Sequence, residues 1–443
     1  MKSLKHALLA FGLIALVQNP GYALDFIINS TVDAPDANPG DGFCNPVILA
    51  VPGTCTLRAA IMEANALGGS HNIALPTEVY ILDNVGEDED QSATGDLDIH
   101  ADILIINGTT DKPLINGNST DRIFDIHAGG ALEIDNITLI GGRANSSDTV
   151  RGGAFNVRAD GSLLLQRALV SLNLANQGGA IYSDGGVRIV ESDLLNNIIV
   201  AEEIQPEFSD GAAIFNRGFL IIERSTLRSN GRVPGFEDPI STVEFAVHSR
   251  EGFVANPGVI IGNSTLFDNT NGVFSDGVPT FITHSTLVNN NQLGLRFLPD
   301  LDALGDVQLT VEQSVLYGHD SDCNGLDSGQ DEFDLAFNIN ASSDDSCGFT
   351  GFNDFENIAY PFFGSLDSHG GPTPTLMPRS GGILIDPVGA SCGTLSDDQR
   401  GQPRPVDGNT IGGALCDIGA VEFDPEVDPE FADELFSDRF EED

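Results

Sequence analysis

Tryptophan is absent from the 443 residues, and there are only five tyrosines and three methionines. That scarcity argues against an open aromatic platform of the kind that sugars stack on. Positive charge is equally scarce: 20 Lys and Arg stand against 66 Asp and Glu, a formal charge of −46. A field of that sign repels nucleic acid and anionic lipid, so both are poor partner classes for this chain. The same acidity solvates the surface, and it suits Ca2+, which takes carboxylate and carbonyl oxygens. Long apolar runs are missing as well. The run Ala7–Val17 has 11 residues, where a membrane-spanning helix takes roughly 20.

The residues on either side of that run point to export. Lys2 and Lys5 give a positive start, and Gly21-Tyr22-Ala23 places small residues at −3 and −1. This is the pattern of a secretory signal peptide over 1–23, with cleavage expected after Ala23. The six cysteines agree with an oxidising destination, being even in number and without a Cys-x-x-Cys pair. Their clustering favours neighbours: Cys44 with Cys55, Cys323 with Cys347, Cys392 with Cys416. Each short loop, once closed, contributes on the order of 3 kcal/mol in the chain-entropy model.

A repeat organises the middle of the chain. Seven lines align on Leu139, Leu169, Leu194, Leu227, Leu266, Leu287 and Leu316, spaced by 30, 25, 33, 39, 21 and 29 residues. Five places earlier stand Ile134, Leu164, Ile189, Ile222, Ile261, Ile282 and Val311. Seven places earlier stand Leu132, Ser162, Val187, Leu220, Val259, Thr280 and Leu309. Apolar residues at alternate positions mark half-buried strands. One such unit cannot bury its face alone and must stack on copies of itself. Ser192, Ser225, Ser264, Ser285 and Ser314 lie two places before the leucine, and Asn197, Asn230, Asn269 and Asn290 three places after. Asn tolerates a left-handed corner, and stacked amides bond from rung to rung. The expected fold is all-β: a right-handed parallel β-helix over 81–330, its longer inter-repeat segments forming flanking loops.

A solenoid needs its ends covered. Residues 56–67, TLRAAIMEANAL, read as a capping helix with Thr56 as N-cap and Leu57, Ile61 and Ala64 on one face. Residues 331–423, rich in Gly and Pro, read as last coils and an irregular C-terminal cap. An acidic tail occupies 424–443.

DAPDANPGDGFC (33–44) followed by CTLRAAIMEANAL (55–67) resembles the CSLREA domain, departing from its name-giving core at Thr56 and Ala59. The cap segment on this reading spans 24–80. TGDLDI (94–99) and DRIFDIHAGGALEIDNITLIGG (121–142) resemble the segment that comes after that domain in such proteins. GGPTPTLMP (370–378), DDQRGQPRP (397–405) and CDIGAVEF (416–423) resemble the C-terminal region of choice-of-anchor bacterial surface proteins. The resemblance implies an exported bacterial β-helix of the pectin-lyase-like type, and brings no substrate or catalytic residue. The ending LFSDRFE is similar to terminal tails of some Gram-negative secreted proteins, which implies a sorting role.

Two functions suit such a chain. One is a non-catalytic surface or secreted protein for adhesion or extracellular interaction, with a protein or polysaccharide surface as partner. The other is a polysaccharide lyase or glycoside hydrolase on the solenoid flank. No His-Glu-x-x-His, Gly-x-Ser-x-Gly or phosphate loop occurs, nor does the polygalacturonase constellation. Carboxylate pairs such as Asp397–Asp398, or the run Glu87 to Asp90, are uninformative among 66 acids. Arg400 and Arg404 are expected to pair structurally with Asp397 or Asp398. No catalytic residue is assigned. For Ca2+, the closely spaced oxygens are Asp33, Asp36 and Asp41, with Asn38 between them.

Overall fold

Three parallel sheets run through the computed structural model. It describes residues 25–429 apart from 47–52, 87–88, 145–150, 200–210, 232–243, 253–256, 299–306, 326–332, 350, 352 and 361–362. Among the described residues the sheets hold 11, 10 and 9 strands, and neighbours within each come from successive turns of the chain. One turn visits the first sheet at Ala131–Asp135, the second at Thr138–Ile140 and the third at Phe155–Val157. With the right-handed crossover that parallel connections take, this is the right-handed parallel β-helix expected from the repeat. Ala23, the signal-like run and residues 430–443 lie outside the described residues.

The aliphatic rows stack in register. Ile189 pairs with Ile222, Ile222 with Ile261, Ile261 with Ile282 and Ile282 with Val311, all fully buried. Each such side chain contributes roughly 1.5–3 kcal/mol by leaving water. Thr280 interrupts the neighbouring row without penalty, because its hydroxyl donates to Ser275 Oγ at 2.7 Å. One line of the repeat is corrected by the ladder. Val170, not Leu169, pairs with Leu139 and Leu194, and Leu165, not Leu164, pairs with Ile134 and Ile189. The slip arises because 163–165 is three leucines long and no alternation marks its register.

Two corners of the coil share one device. Between the first and second sheets, Glu191, Arg224, Asn263, His284 and Gln313 hold φ between 46° and 50°. The serine after each then turns inward, and its Oγ accepts the backbone N–H of the serine one rung earlier, as Ser225 Oγ does from Ser192 N at 3.1 Å. Between the second and third sheets, Leu172, Asn196, Ser229, Asp268 and Asn289 hold φ between 52° and 56°. The left-handed residue thus precedes the recurring asparagine, which corrects the reading that the asparagine itself makes the bend. Asn173, Asn197, Asn230, Asn269 and Asn290 are instead buried rungs. Each Nδ2 donates to the next Oδ1 at 2.8–3.0 Å. The last amide reaches His319 Nε2 at 3.3 Å, and His319 is itself held by Asp322 at 2.7 Å.

The stack begins earlier than residue 81, since Asp25–Ile27 and Ser70–Ala74 already belong to the first sheet. Helix α1, Leu57–Leu67, is capped by Thr56, whose Oγ1 accepts the N–H of Ala59 at 3.2 Å. Arg58 on α1 is fully buried. It grips Asp33 at 2.6 and 3.0 Å and donates to the carbonyls of Ser92, Gly95 and Asp96. One side chain therefore ties three sequence motifs together.

The far end differs from expectation. The described residues of 343–358 close it, with Cys347 and Phe349 entering the main core and the Cys323–Cys347 disulfide tying them to the last turn of the third sheet. Residues 363–428 do not cap; they run back along the flank as a strap over the second sheet. Gln399 reaches Ser225, Thr226 and Thr265, Gly419 N donates to Gln313 O, and Ala420 N donates to Thr286 Oγ1. Arg400 pairs with Asp398 and Asp428 at 2.9 Å, and Arg404 lies 3.5 Å from Glu422. The motifs DDQRGQPRP and CDIGAVEF meet in that buried ionic core, which the Cys392–Cys416 disulfide also spans.

Asn230→Ala orphans partners on both adjacent rungs, so it should cost on the order of 1–3 kcal/mol, read as a lower urea midpoint at unchanged slope. An unchanged midpoint would remove the ladder from the list of stabilising features. Arg58→Met strands Asp33 and three carbonyls; a loss of about 3–5 kcal/mol is expected for a broken buried pair, measured by the same unfolding curves.

Candidate functional site

The outer face of the third sheet carries the densest chemistry. Strands there place one residue outward between two inward ones, and a second outward residue just beyond. The register Leu97–Ile99, Phe124–Ile126, Phe155–Val157, Ile181–Ser183 continues through the stack. Stacked in one row are therefore Asp98, Asp125, Asn156, Tyr182, Phe215, His248, Phe274 and Arg296. A parallel row, two residues later, is His100, His127, Arg158, Asp184, Arg217, Arg250, Asp276 and Leu298.

The centre of the first row is a closed aromatic column. Tyr182 and Phe215 stack at 5.5 Å, Phe215 meets His248 edge-on at 4.9 Å, and His248 stacks on Phe274 at 4.5 Å. Guanidinium groups close it at both ends, Arg151 at 4.6 Å over Tyr182 and Arg296 at 4.8 Å over Phe274. These rings are buried, none more than 6% exposed. They form an outer core that stiffens the face, rather than a platform open to ligand. Burial also pushes the Tyr182 hydroxyl up, against the hydrogen bond from Arg217. The half-exposed groups belong to the second row, where Arg217 lies 3.5 Å from Asp184.

At the N-terminal end the rows become ionic. His127 Nε2 lies 2.8 Å from Asp98 Oδ1 and 3.7 Å from Asp90 Oδ1. His100 stacks on His127 with ring centroids 4.0 Å apart. Arg158 binds Asp125 at 3.0 Å and Asp90 at 2.9 Å, while Arg122 binds Asp96 at 2.9 Å. Burial raises the Asp98 carboxyl above its ordinary range, although His127 and the N–H of Ser92 work against it. Asp96 is pushed well above by burial, opposed by the Arg122 charge. Asp90 lies below the usual range, because Arg158 and His127 outweigh its partial burial.

The oxygens expected to gather Ca2+ are not brought together. Asp33 is spent on Arg58, Asp41 accepts the N–H of Phe43 in its own turn at 3.0 Å, and Asp36 faces Glu63 on α1. Glu63 in turn takes the N–H groups of Gly40 and Gly42. Among the described residues, the cation-capable groupings are Asp90, Asp98 and His127, and Cys392, Cys416 and Glu422. The latter cysteines are joined as a disulfide, as are Cys44 with Cys55 and Cys323 with Cys347.

Sequence reasoning passes over the third-sheet rows, although their signal is present. LDIH, FDIH, FNVR, IYSD, IFNR, VHSR and VFSD recur, several after Gly-Gly-Ala or Gly-Ala-Ala. Those glycines are steric: a Cβ on Gly179 would sit 2.3 Å from Ala212 O on the next turn. Of the ionic group, the sequence singles out Asp90 alone, as one acid of an uninformative run.

No family model matches the chain, and no curated protein matches it. Among solved structures it is similar to the crystal structure of pectate lyase Pel9A, at 14% identity and a TM-score of 0.43, over 91% of this chain and 97% of that one. The parallel stack rests on the ladder registers above, and no activity is carried over from that enzyme.

The Asp36 carboxyl is raised from 3.8 to about 6 by burial and by the Glu63 carboxylate. A raised acid stabilises the fold fully below its unfolded value and loses that contribution as pH rises through about 6. The N-terminal cap should therefore resist proteolysis better at pH 5 than at pH 7.5, each measured relative to an Asp36→Asn variant in which this difference is smaller. Equal pH dependence in both proteins would refute the pairing.

Proposed function

We propose that this is an exported bacterial surface or secreted protein of the CSLREA and choice-of-anchor type, and that it works by binding extracellular polysaccharide. Three disulfides suit an oxidising compartment, and no helix among the described residues is long and apolar enough to cross a membrane. The motif resemblance and the signal-like start support export, and the sorting role of the tail belongs to the same reading.

One observation carries the binding reading. Arg122, Arg151, Arg158, Arg217, Arg250 and Arg296 all lie on or beside the third sheet, in a chain with only 20 basic residues. Of these, Arg158, Arg217 and Arg250 belong to the half-exposed row beside the aromatic column, with Arg217 and Arg250 on adjacent rungs about 4.8 Å apart. Guanidinium forks match carboxylates, so a uronate-bearing polysaccharide lying along the solenoid axis is the favoured ligand. Long-range repulsion from the acidic remainder is screened beyond roughly 8 Å at physiological salt. Adhesion to a polymer surface needs nothing more than such contacts repeated.

A second reading, a lyase or hydrolase, has one observation in its favour. Asp98 and Asp125 stand on adjacent rungs with Asp98 raised by burial, and paired carboxyls serve acid and base roles in glycoside cleavage.

The two are separated by incubating the purified protein with uronate and neutral polysaccharides. Retention on uronate polymers without product release is expected, reduced about tenfold or more in an Arg217→Gln, Arg250→Gln variant of unchanged melting temperature. Equal retention of the variant sinks the proposed face, and turnover lost in Asp98→Asn would replace binding by catalysis.

A further inference from the structure

We infer that Asp90, Asp98 and His127 form a site for one first-row divalent cation of the Zn2+ and Mn2+ type. The site is distinct from the Asp33–Asp41 loop, and it stands independently of polysaccharide binding.

The donor set is one imidazole nitrogen and two carboxylates, all within 4.8 Å of one another. Imidazole suits zinc-like ions, and carboxylate suits manganese and the harder cations, so the mixed set selects a borderline first-row ion over Ca2+. The spacing agrees. Bonds of roughly 2.0–2.2 Å put neighbouring donor atoms about 2.8–3.1 Å apart in octahedral geometry and about 3.3–3.6 Å apart in tetrahedral geometry. The observed Nε2 to Oδ1 distances are 2.8 Å to Asp98, at the lower edge of that range, and 3.7 Å to Asp90, just above it. A small rotation of the exposed Asp90 closes the set. The Asp90 oxygen that faces His127 also accepts from Arg158 Nη2 at 2.9 Å, so the ion would share this carboxylate with the guanidinium.

The charge balance is a separate argument. Asp96, Asp98, Asp121 and Asp125 are all buried, and Asp90 adds a fifth carboxylate. Facing them are Arg122 and Arg158, with His127 and His100 as the remaining bases. Concentrating carboxylates out of water is costly unless they are paired or coordinate a cation. Two guanidinium groups do not neutralise five acids, and a divalent ion offsets most of the remainder. The backbone already sets the geometry. Asp98 Oδ2 accepts the N–H of Ser92 at 2.7 Å, Asp98 N donates to Ser92 Oγ at 2.7 Å, and His100 backs the His127 ring. Such supporting contacts orient metal ligands. His127 and Asp98 come from adjacent rungs of a rigid ladder, while Asp90 approaches from a loop. That leaves coordination positions facing solvent.

The test uses the purified full-length secreted protein, stripped with chelator and titrated with Zn2+ by calorimetry in millimolar Ca2+, which occupies the adventitious surface carboxylates. One saturable site per chain is expected. His127→Gln and Asp98→Asn should each weaken it by more than about tenfold, given that even outer-sphere partners account for 10- to 100-fold, while exposed Asp111→Asn leaves it unchanged. Uptake only at many weak equivalent sites, or identical titrations for wild type and both variants, overturns the site. Should either variant fail to fold by circular dichroism, Co2+ loading of the wild type decides. A paramagnetically shifted imidazole resonance is expected, and its absence overturns the proposal. Failure of polysaccharide retention leaves this result untouched, since Arg217 and Arg250 are not ligands.

Discussion

Everything in this molecule depends on backbone ladders that hold successive turns at a fixed, short separation. At about 4.8 Å per rung, no side chain can avoid its counterparts one turn above and below. Inward positions become aliphatic columns because a single turn has too little surface to bury on its own. Corner positions become Ser and Asn columns because a group at a corner meets the same group again. Asn197 illustrates the economy: its Oδ1 accepts from the amide and backbone N–H of Asn173, while its Nδ2 donates to Val170 O and Asn230 Oδ1. All of its bonding capacity is met by copies of itself and the backbone, inside the tube.

The same constraint explains which parts of the fold are legible in the sequence. Inward rows repeat one chemistry, so Ile189, Ile222, Ile261 and Ile282 announce themselves. The pattern fails only at Leu163–Leu165, where three identical residues erase the alternation that defines a register. The asparagines are visible, but the bend they suggest is not theirs. It sits one residue earlier, on Asn196, Ser229, Asp268 or Leu172, and so has no single residue type to betray it. Outward rows are harder still. Asp98, Asn156, Tyr182, Phe215 and Arg296 occupy one column without sharing any property, since facing outward relaxes the demand for likeness. Function, which sits outward, is therefore the least legible part of a solenoid.

Nor does the pattern disclose where the chain goes after its last turn. The strap over 363–428 contributes almost no periodicity, and its Gly and Pro content reads equally well as an end cap. What places it on the flank is a set of specific polar contacts 134 to 174 residues apart in sequence, such as Gln399 with Ser225 and Thr265. Motifs that look like separate signatures turn out to be halves of one contact: DDQRGQPRP with CDIGAVEF around Arg400 and Arg404, DAPD with TLRAA around Arg58.

Charge is distributed by the same logic. An excess of acid costs little where water reaches it, and most of the 66 carboxylates can be understood as solvated surface. The exceptions are informative because each has a named partner. Asp33 answers Arg58, Asp398 and Asp428 answer Arg400, and Glu422 lies against Arg404. In those places one buried guanidinium is matched to one or two acids and the hydrogen bonds close. Around Asp90, Asp98 and His127 the count does not close with protein groups alone, and this is also where the outward rows bring imidazole and carboxylate together. What sets this cluster apart from the buried acids at Asp36 and Glu63 is that it adds an imidazole to the carboxylates on a rigid, outward-facing ladder, the mixed donor set of a place built to receive a cation.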